Sequence, residues 1–457
     1  AARAAAQGPR MTPSEALAAL RAAEARDGRL GLDRRRDLLA RLAATVLDRA
    51  EDFARALDAD YGGRSRYDTL LADVLIVADA AKYSRAKLRG WAKPRRAYVP
   101  YPFWPTTAAE EPVPKGVVGI IGPWNYPVQL ALWPVVDAIA AGNRVCVKPS
   151  EFVPRTAEIV VEVLEAALGP DVARGVLGGR EVAADFAAQP WDHLFFTGGT
   201  ATGRKVAEAA AHNLVPVTLE LGGKCPAIVL PGADLADAAR NILAGKAINA
   251  GQTCIAPDTV LLVGHTPAAF AEACRATGIA LPEGAIASDA QAARLDALVA
   301  DARLTPLGAD DSRRRAIALA EAPPGAALLR EEIFGPVLAL QPVADLDAAI
   351  AWIKDRSPPL AIYLFGATRV EEDRIAGATR SGALVTGRAV EYAAFPALGF
   401  GGVGASGLGR YHGRAGFFEF SDMRSRVRHG RWSLSRFFDL PRKPIAEKLT
   451  AQLLKKR

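Results

Sequence analysis

The sequence predicts an α/β protein made of two parallel-sheet halves, and three observations carry that expectation. Short apolar runs closed by glycine or charge, such as Gly116-Val-Val-Gly-Ile-Ile-Gly122 and Arg144-Val-Cys-Val-Lys148, read as buried strands. Helical stretches of about ten to fifteen residues separate such runs, the rhythm of parallel strands covered on both faces. The length of 457 residues suits two large domains or three modest ones. With half the residues hydrophobic, 23% charged and no fixed-period repeat, disordered, collagen-like and solenoid classes are excluded.

The elements follow in order. From Pro13 to Ala92 the pattern is helical, with Leu17, Leu20, Leu38, Leu39, Leu42, Val46, Phe53 and Leu57 recurring at spacings of three and four. Pro94, Pro100, Pro102 and Pro105, interleaved with Tyr98, Tyr101, Phe103 and Trp104, then mark an extended arm or crossing strand. After Pro112 come the strand at 116–122, a helix over 128–141, the strand at 144–148, a helix over 156–168 and a strand at 193–197. Gly198-Gly-Thr-Ala-Thr-Gly203 opens the next helix. A second set has strands near 227–230, 260–263, 337–340 and 361–365, so the boundary between halves falls at 221–223.

Charge and cysteine usage narrow the function. The net charge is +7, yet the segment from Arg424 to Arg457 alone carries +9, leaving the body near neutral. A nucleic-acid-binding body is therefore not expected. The basic tail reads as a solvated segment or subunit contact, with membrane-surface attachment the alternative through Phe437-Phe438, Leu449, Leu453 and Leu454. No apolar run reaches the ~18 residues of a membrane-spanning helix, and Ala1 to Arg10 lacks a signal-peptide core. The expected setting is the cytoplasm. Cys146, Cys225, Cys254 and Cys274 show no metal-ligand spacing with the five histidines, so no metal is expected and the thiols read as reduced.

Five local patterns are chemically suggestive, each with a plainer alternative. Gly198-Gly199-x-x-x-Gly203 between strand and helix is a phosphate cradle or simply a tight turn. Lys148-Pro-Ser-Glu151 ends a strand, where open α/β sheets bind ligands, or is a surface pair. Cys254, in Asn249-Ala-Gly-Gln-Thr-Cys254, is a nucleophile or a buried small hydrophobe. Glu220 follows the apolar run Val215 to Leu219 and faces a cleft or a surface partner. Asn125, in Pro123-Trp-Asn-Tyr-Pro127, donates its amide to a ligand or caps a turn.

Taken in order, these pieces closely resemble the aldehyde dehydrogenase superfamily. Pro-Trp-Asn125-Tyr-Pro is followed by Lys148-Pro-Ser-Glu151, Phe196-Thr-Gly-Gly199, Glu220-Leu-Gly-Gly-Lys224, Gly251-Gln-Thr-Cys254, Glu331-Glu332-Ile-Phe334-Gly-Pro336 and Phe400-Gly-Gly-Val-Gly-Ala-Ser406-Gly. The likeness runs from about residue 15 to 430. Gly404-Ala-Ser-Gly-Leu-Gly-Arg-Tyr-His-Gly413 is similar to the class 3 branch. Lys93-Pro-Arg-Arg and Gly62-Gly-Arg-Ser-Arg66 look most like the bacterial coniferyl aldehyde dehydrogenases. The resemblance implies an NAD(P)-binding Rossmann-type domain at 11–96 and 112–221 and a catalytic domain at 222–415. It implies bridging and oligomerisation segments at 97–111 and 416–432, a basic tail at 433–457, and a homodimer.

It also implies the chemistry. Cys254 as thiolate would attack an aldehyde to form a thiohemiacetal, which needs local electropositivity to lower a thiol pKa of about 8.5. The Asn125 amide and the Cys254 N–H would stabilise the oxyanion. Hydride loss to NAD, or to NADP, leaves a thioester that Glu220 hydrolyses by activating water. Lys148 and Glu151 fall to the adenosine ribose, Gly199 to the pyrophosphate turn, Glu332 and Phe334 to the nicotinamide ribose and ring, and Trp124 beside them. Glu151 favours NAD over NADP. Trp124, Tyr126, Phe395 and Phe400 suggest an apolar or aromatic aldehyde pocket. An aliphatic aldehyde, a semialdehyde, a coenzyme A acceptor or a non-catalytic relative are the alternatives. Departures from the family pattern are Gly199 for serine and Thr202 for an aliphatic residue, both mild changes on the cofactor side, and Thr386 for asparagine, which is expected to reshape the cleft. The 255–330 stretch is short, and Ala309 to Ala327 lacks the usual strand signal.

Overall fold

The computed structural model describes residues 11–311, 314–431, 436, 439–441 and 444–455. The leader reading of Ala1 to Arg10 and the tail aromatics Phe437 and Phe438 lie outside the described residues. The chain begins with helices Pro13–Asp27, Leu32–Asp48, Ala50–Tyr61 and Ile76–Trp91. Thr12 and Glu15 form a reciprocal capping box at the first of them, satisfying two orphan donors. Leu38, Leu39, Leu42 and Val46 form the buried stripe of the second. Before the fourth helix, Thr69–Leu75 winds as a π-helix, and its Leu71 and Leu75 stay half exposed.

The first sheet has six strands in the spatial order Gly407–Leu408, Val217–Leu221, His193–Gly198, Val117–Ile121, Arg144–Lys148, Ala173–Gly175. All neighbours are parallel except Gly407–Leu408, which returns from far downstream to run antiparallel beside Val217–Leu221. Alternation of side chains fills both faces. Val118 and Ile120 join the core under helices Gln129–Ala141 and Pro154–Leu168, while Val117 and Ile121 meet Leu17, Leu20 and Val206 on the other. After Val117–Ile121 the chain first builds outward to one side, then crosses to His193–Gly198 on the other. The gap between those two strands is the topological switch point where such sheets take ligands.

The second sheet has seven strands, ordered Arg303–Pro306, Ala318–Glu321, Val337–Val343, Thr259–Val263, Pro226–Val229, Ala361–Phe365, Ala383–Thr386. Only Arg303–Pro306 is antiparallel. Ala318–Glu321 corrects the expectation over 309–327. A strand forms there without β-branched residues because Ala318 and Ala320 pack against the buried Leu295 and Val337 region. The proline-rich arm becomes Arg95–Ala97, a short turn at Tyr101–Phe103 and the strand Thr107–Pro114. Thr107–Pro114 pairs antiparallel with Ser421–Arg428 along all eight residues. A last helix, Pro444–Leu454, lies in the basic tail. Among the described residues no helix is long and apolar enough to cross a membrane.

Candidate active site

A cavity of about 430 Å³ opens at the switch point of the first sheet. All nine residues singled out in the sequence line it: Trp124, Asn125, Lys148, Glu151, Gly199, Glu220, Cys254, Glu332 and Phe334. They arrive from separate strand ends. Val117–Ile121 delivers Trp124 and Asn125, Arg144–Lys148 delivers Lys148 and Glu151, and His193–Gly198 delivers Gly199. Glu220 sits within the strand Val217–Leu221, paired across to Thr197 and Gly407, so the strand runs past it and does not stop at Leu219.

One end of the cavity has the makings of a dinucleotide site. Lys148 is almost fully buried and forms an ion pair with Glu151 on the following turn. Gly199 is the N-cap of the helix Thr200–Ala211, with no side chain capping the first turn and open space where a Cβ would stand. An uncapped helix N-terminus on a cavity wall suits a phosphate. Thr202 lines the same wall. Further in, Trp124 and Phe334 meet edge to face at 5.5 Å. Phe334 adopts a left-handed backbone with φ 49°. Arg294 holds that shape by donating to the carbonyls of Glu332 (3.2 Å), Ile333 (2.5 Å) and Phe334 (3.3 Å). Glu332 keeps a buried oxygen, Oε1, without a partner in the protein. An orphaned buried carboxylate oxygen facing a cavity calls for a hydroxyl donor from a ligand.

At the other end, the Asn125 loop and the Cys254 loop are tied into one unit. The Asn125 amide donates to Gln252 O at 3.1 Å. Asn249 Nδ2 donates to the carbonyls of both Asn125 (3.0 Å) and Gln252 (3.1 Å). Tyr61 Oη and Arg64 Nη1 also donate to Asn125 O, at 3.2 and 3.1 Å. Approaching Cys254, Asn249, Ala250 and Gly251 stand at φ 49°, 52° and 70°. Two non-glycine residues in the left-handed region are a strained approach, of the sort that clusters at functional sites. Gly251 is irreplaceable here, because a Cβ would strike Gly335 O and the Lys246 stem.

The electrostatics correct one expectation. Among the described residues no cation lowers the Cys254 thiol: burial, then the carboxylate of Glu332, the thiol of Cys225 and the carboxylate of Glu220 push it well above the ordinary value. Glu220 is buried, both its oxygens lack partners, and desolvation holds its carboxyl well above the usual range. Glu332 is raised to about 8, first by burial and then by Asp258. Burial thus biases the thiol and both carboxyls toward their neutral forms.

A second cavity of about 500 Å³ meets the first at Cys254. Leu130, Cys254, Phe400 and Tyr411 line both. Tyr126 and Phe395 face the second cavity as anticipated, together with Leu71 and Leu75 of the π-helix, whereas Trp124 faces the first. Thr386 lines neither. It is exposed at the end of Ala383–Thr386, which corrects the expectation that it reshapes the cleft.

Residues beneath the site escaped the sequence reading. Tyr61, Asn249, Gln252 and Arg294 donate to carbonyl oxygens and Asp73 accepts from backbone N–H groups, and no spacing rule marks a side chain whose partner is another residue's backbone. Arg64 had a signal in Gly62-Gly-Arg-Ser-Arg66, and Asn249 and Gln252 had one in Asn249-Ala-Gly-Gln-Thr-Cys254, though neither motif pointed to a backbone partner.

Comparison with known proteins agrees with this geometry. Residues 2–425 match the aldehyde dehydrogenase family. The chain is 40% identical over 427 residues to coniferyl aldehyde dehydrogenase of Pseudomonas sp. (strain HR199), covering 89% of this chain and 88% of that protein. It is 37% identical over 395 residues to aldehyde dehydrogenase family 3 member A2 of Rattus norvegicus, covering 84% and 81%. The substrate-bound AldH of Staphylococcus aureus superposes with a TM-score of 0.89 at 30% identity, covering 97% of this chain and 99% of that one.

Proposed function

Because the chain belongs to the aldehyde dehydrogenase family, we propose that it oxidises apolar, aromatic aldehydes to carboxylic acids through Cys254. It is an NAD(P)-dependent oxidoreductase. The observation that carries the reading is the position of Cys254 at the meeting of two cavities, one reaching Lys148, Glu151, Gly199 and Glu332, the other lined largely by apolar side chains.

Cys254 attacks the aldehyde carbon, since a planar carbonyl must become tetrahedral before it can release hydride. The Asn125 amide, one of whose two hydrogens is occupied by Gln252 O, offers the other to the developing oxyanion. Such a donor is worth about 3–4 kcal/mol in the barrier. NAD would supply the hydride acceptor. Lys148 and Glu151 would hold its adenosine ribose, Gly199 its pyrophosphate, and Glu332, Phe334 and Trp124 its nicotinamide end. Glu220 then takes a proton from the water that hydrolyses the Cys254 thioester. A base at this place favours a free acid over transfer to coenzyme A.

The apolar lining contributed by Leu71, Leu75, Tyr126 and Phe395, with the coniferyl aldehyde dehydrogenase likeness, supports an aryl or aryl-enal substrate. We assign the ranges 11–96 and 112–221 to the cofactor domain and 222–415 to the catalytic domain. The segments 97–111 and 416–432 would bridge subunits of a cytoplasmic homodimer. Mixing the protein with NAD or NADP and a panel of aryl and alkyl aldehydes, while following reduced nicotinamide by absorbance, tests the reading. Aryl aldehydes should be turned over fastest, and Cys254→Ser should be silent. No reduction with any aldehyde would overturn it.

A further inference from the structure

A second sulfur lies behind Cys254, and the aldehyde chemistry makes no use of it. Cys225 stands just before the strand Pro226–Val229 and is fully buried. Its thiol donates to the carbonyl oxygen of Cys254 at 3.3 Å, so it rests on the backbone of the nucleophile itself. Two further hydrogen bonds hold this crossing. Tyr363 Oη donates to Ile255 O at 2.6 Å, pinning the loop just after Cys254. The Asp258 N–H donates to Cys225 O at 3.0 Å, pinning the start of the strand beside it. The Cys225 thiol also helps to push up that of Cys254. Cys146 and Cys274 are buried elsewhere, in the strand Arg144–Lys148 and the helix Pro267–Ala276.

The two sulfurs differ in access. Cys254 lines both cavities, whereas Cys225 lines neither, so a reagent entering the site meets Cys254 first. We propose that Cys254 and Cys225 form a site of reversible oxidation by hydroperoxides, closing a disulfide behind the two cavities. First the Cys254 thiolate attacks hydrogen peroxide. A sulfur–oxygen bond forms, the oxygen–oxygen bond breaks, and hydroxide leaves with the proton the thiol gave up, as water. Cys225 then attacks the Cys254 sulfur. A sulfur–sulfur bond forms, the sulfur–oxygen bond breaks, and the Cys225 proton leaves with that hydroxide as a second water. The competing fate is a second peroxide, which carries the sulfenic acid on to the irreversible sulfinic acid. A thiol already seated on the Cys254 backbone acts at high local concentration, while a second peroxide must enter from solution. Capture by Cys225 therefore preserves the nucleophile.

The test treats the full chain with hydrogen peroxide, blocks remaining thiols with iodoacetamide in denaturant and maps all four cysteines by mass spectrometry. The unmodified protein should give linked Cys225 and Cys254 peptides that dithiothreitol separates, with Cys146 and Cys274 alkylated. In Cys225→Ala the same dose should convert Cys254 to sulfinic or sulfonic acid, cutting the thiol recovered by dithiothreitol about fivefold. Cys225→Ser keeps a donor for the Cys254 carbonyl and should match the alanine variant, which separates loss of the sulfur from loss of the contact. Unmodified protein that keeps both thiols, or overoxidises Cys254 beside a free Cys225, would overturn the proposal even if neither variant folds. Equal recovery in the variants would do the same. The map reads cysteines alone, so its outcome is distinct from a failure to oxidise aldehydes.

Discussion

Arg64 and Asp73 stand 3.1 Å apart with both side chains fully buried, and the guanidinium reaches past its partner to the carbonyl oxygen of Asn125. Asp73 in turn accepts from the backbone N–H groups of Val128 and Gln129, at 3.2 and 3.1 Å. One ion pair therefore sets the height of the loop bearing Asn125, the proposed oxyanion donor. Removing one partner of a buried pair costs about 3–5 kcal/mol, because the other charge is left uncompensated. Arg64→Met should lower unfolding stability by that amount in a urea titration. It should also depress kcat about tenfold through misplacement of Asn125. A stable variant with full kcat would separate this pair from the chemistry.

Glu220→Gln should leave the first burst of reduced nicotinamide intact and slow steady turnover, since only thioester hydrolysis needs the base. The pH dependence has a definite sign. Burial raises the Glu220 carboxyl, so its basic form grows as pH rises through that elevated value. Deacylation in the unmodified protein should climb with pH in this window, and in Glu220→Gln the climb should flatten. Rapid-mixing burst measurements across pH read both effects; equal loss of burst and turnover would deny Glu220 this role.

The thiol of Cys254 is pushed up by burial and by Glu332, itself raised to about 8. Alkylation of the cofactor-free protein by iodoacetamide should therefore be slower at pH 7 than that of free cysteine. Glu332 ionises as pH passes about 8 and then opposes thiolate formation further. Glu332→Gln should shift the alkylation profile to lower pH, readable by mass spectrometry of the Cys254 peptide.

Gly222 makes room for Glu332: a Cβ at that position would collide with the Glu332 carboxylate. Gly222→Ala should displace that carboxylate and weaken NAD, raising its KM about tenfold while the aldehyde KM moves much less. Direct NAD titration by protein fluorescence, with no aldehyde present, checks the effect apart from turnover.

Much of this architecture was legible because strands buried on both faces advertise themselves as apolar runs. Val117–Ile121, Arg144–Lys148 and Ala361–Phe365 fall where the sequence put them, within a residue of each end. Ala318–Glu321 was not legible, since Ala-Leu-Ala-Glu carries no strand preference and is made a strand by its neighbours. Glu220 interrupts an apolar run with a charge, which made the strand seem to end before it. The side chains that gather at the first cavity were readable from residue type and position. Their support was not, because Asn249, Gln252 and Arg294 work by donating to carbonyls that every residue possesses. That carboxylates, and no cation among the described residues, stand against Cys254 shows the reverse limit: composition cannot reveal which charges fold back against a thiol.

Because the sulfur stands between two chambers, traffic through this protein need not queue. On the proposed reading, a bulky organic product would withdraw through the apolar chamber without passing the one that would seat the nucleotide. Widening one vestibule by mutation should then alter which aldehydes are admitted and leave the nucleotide's grip where it was.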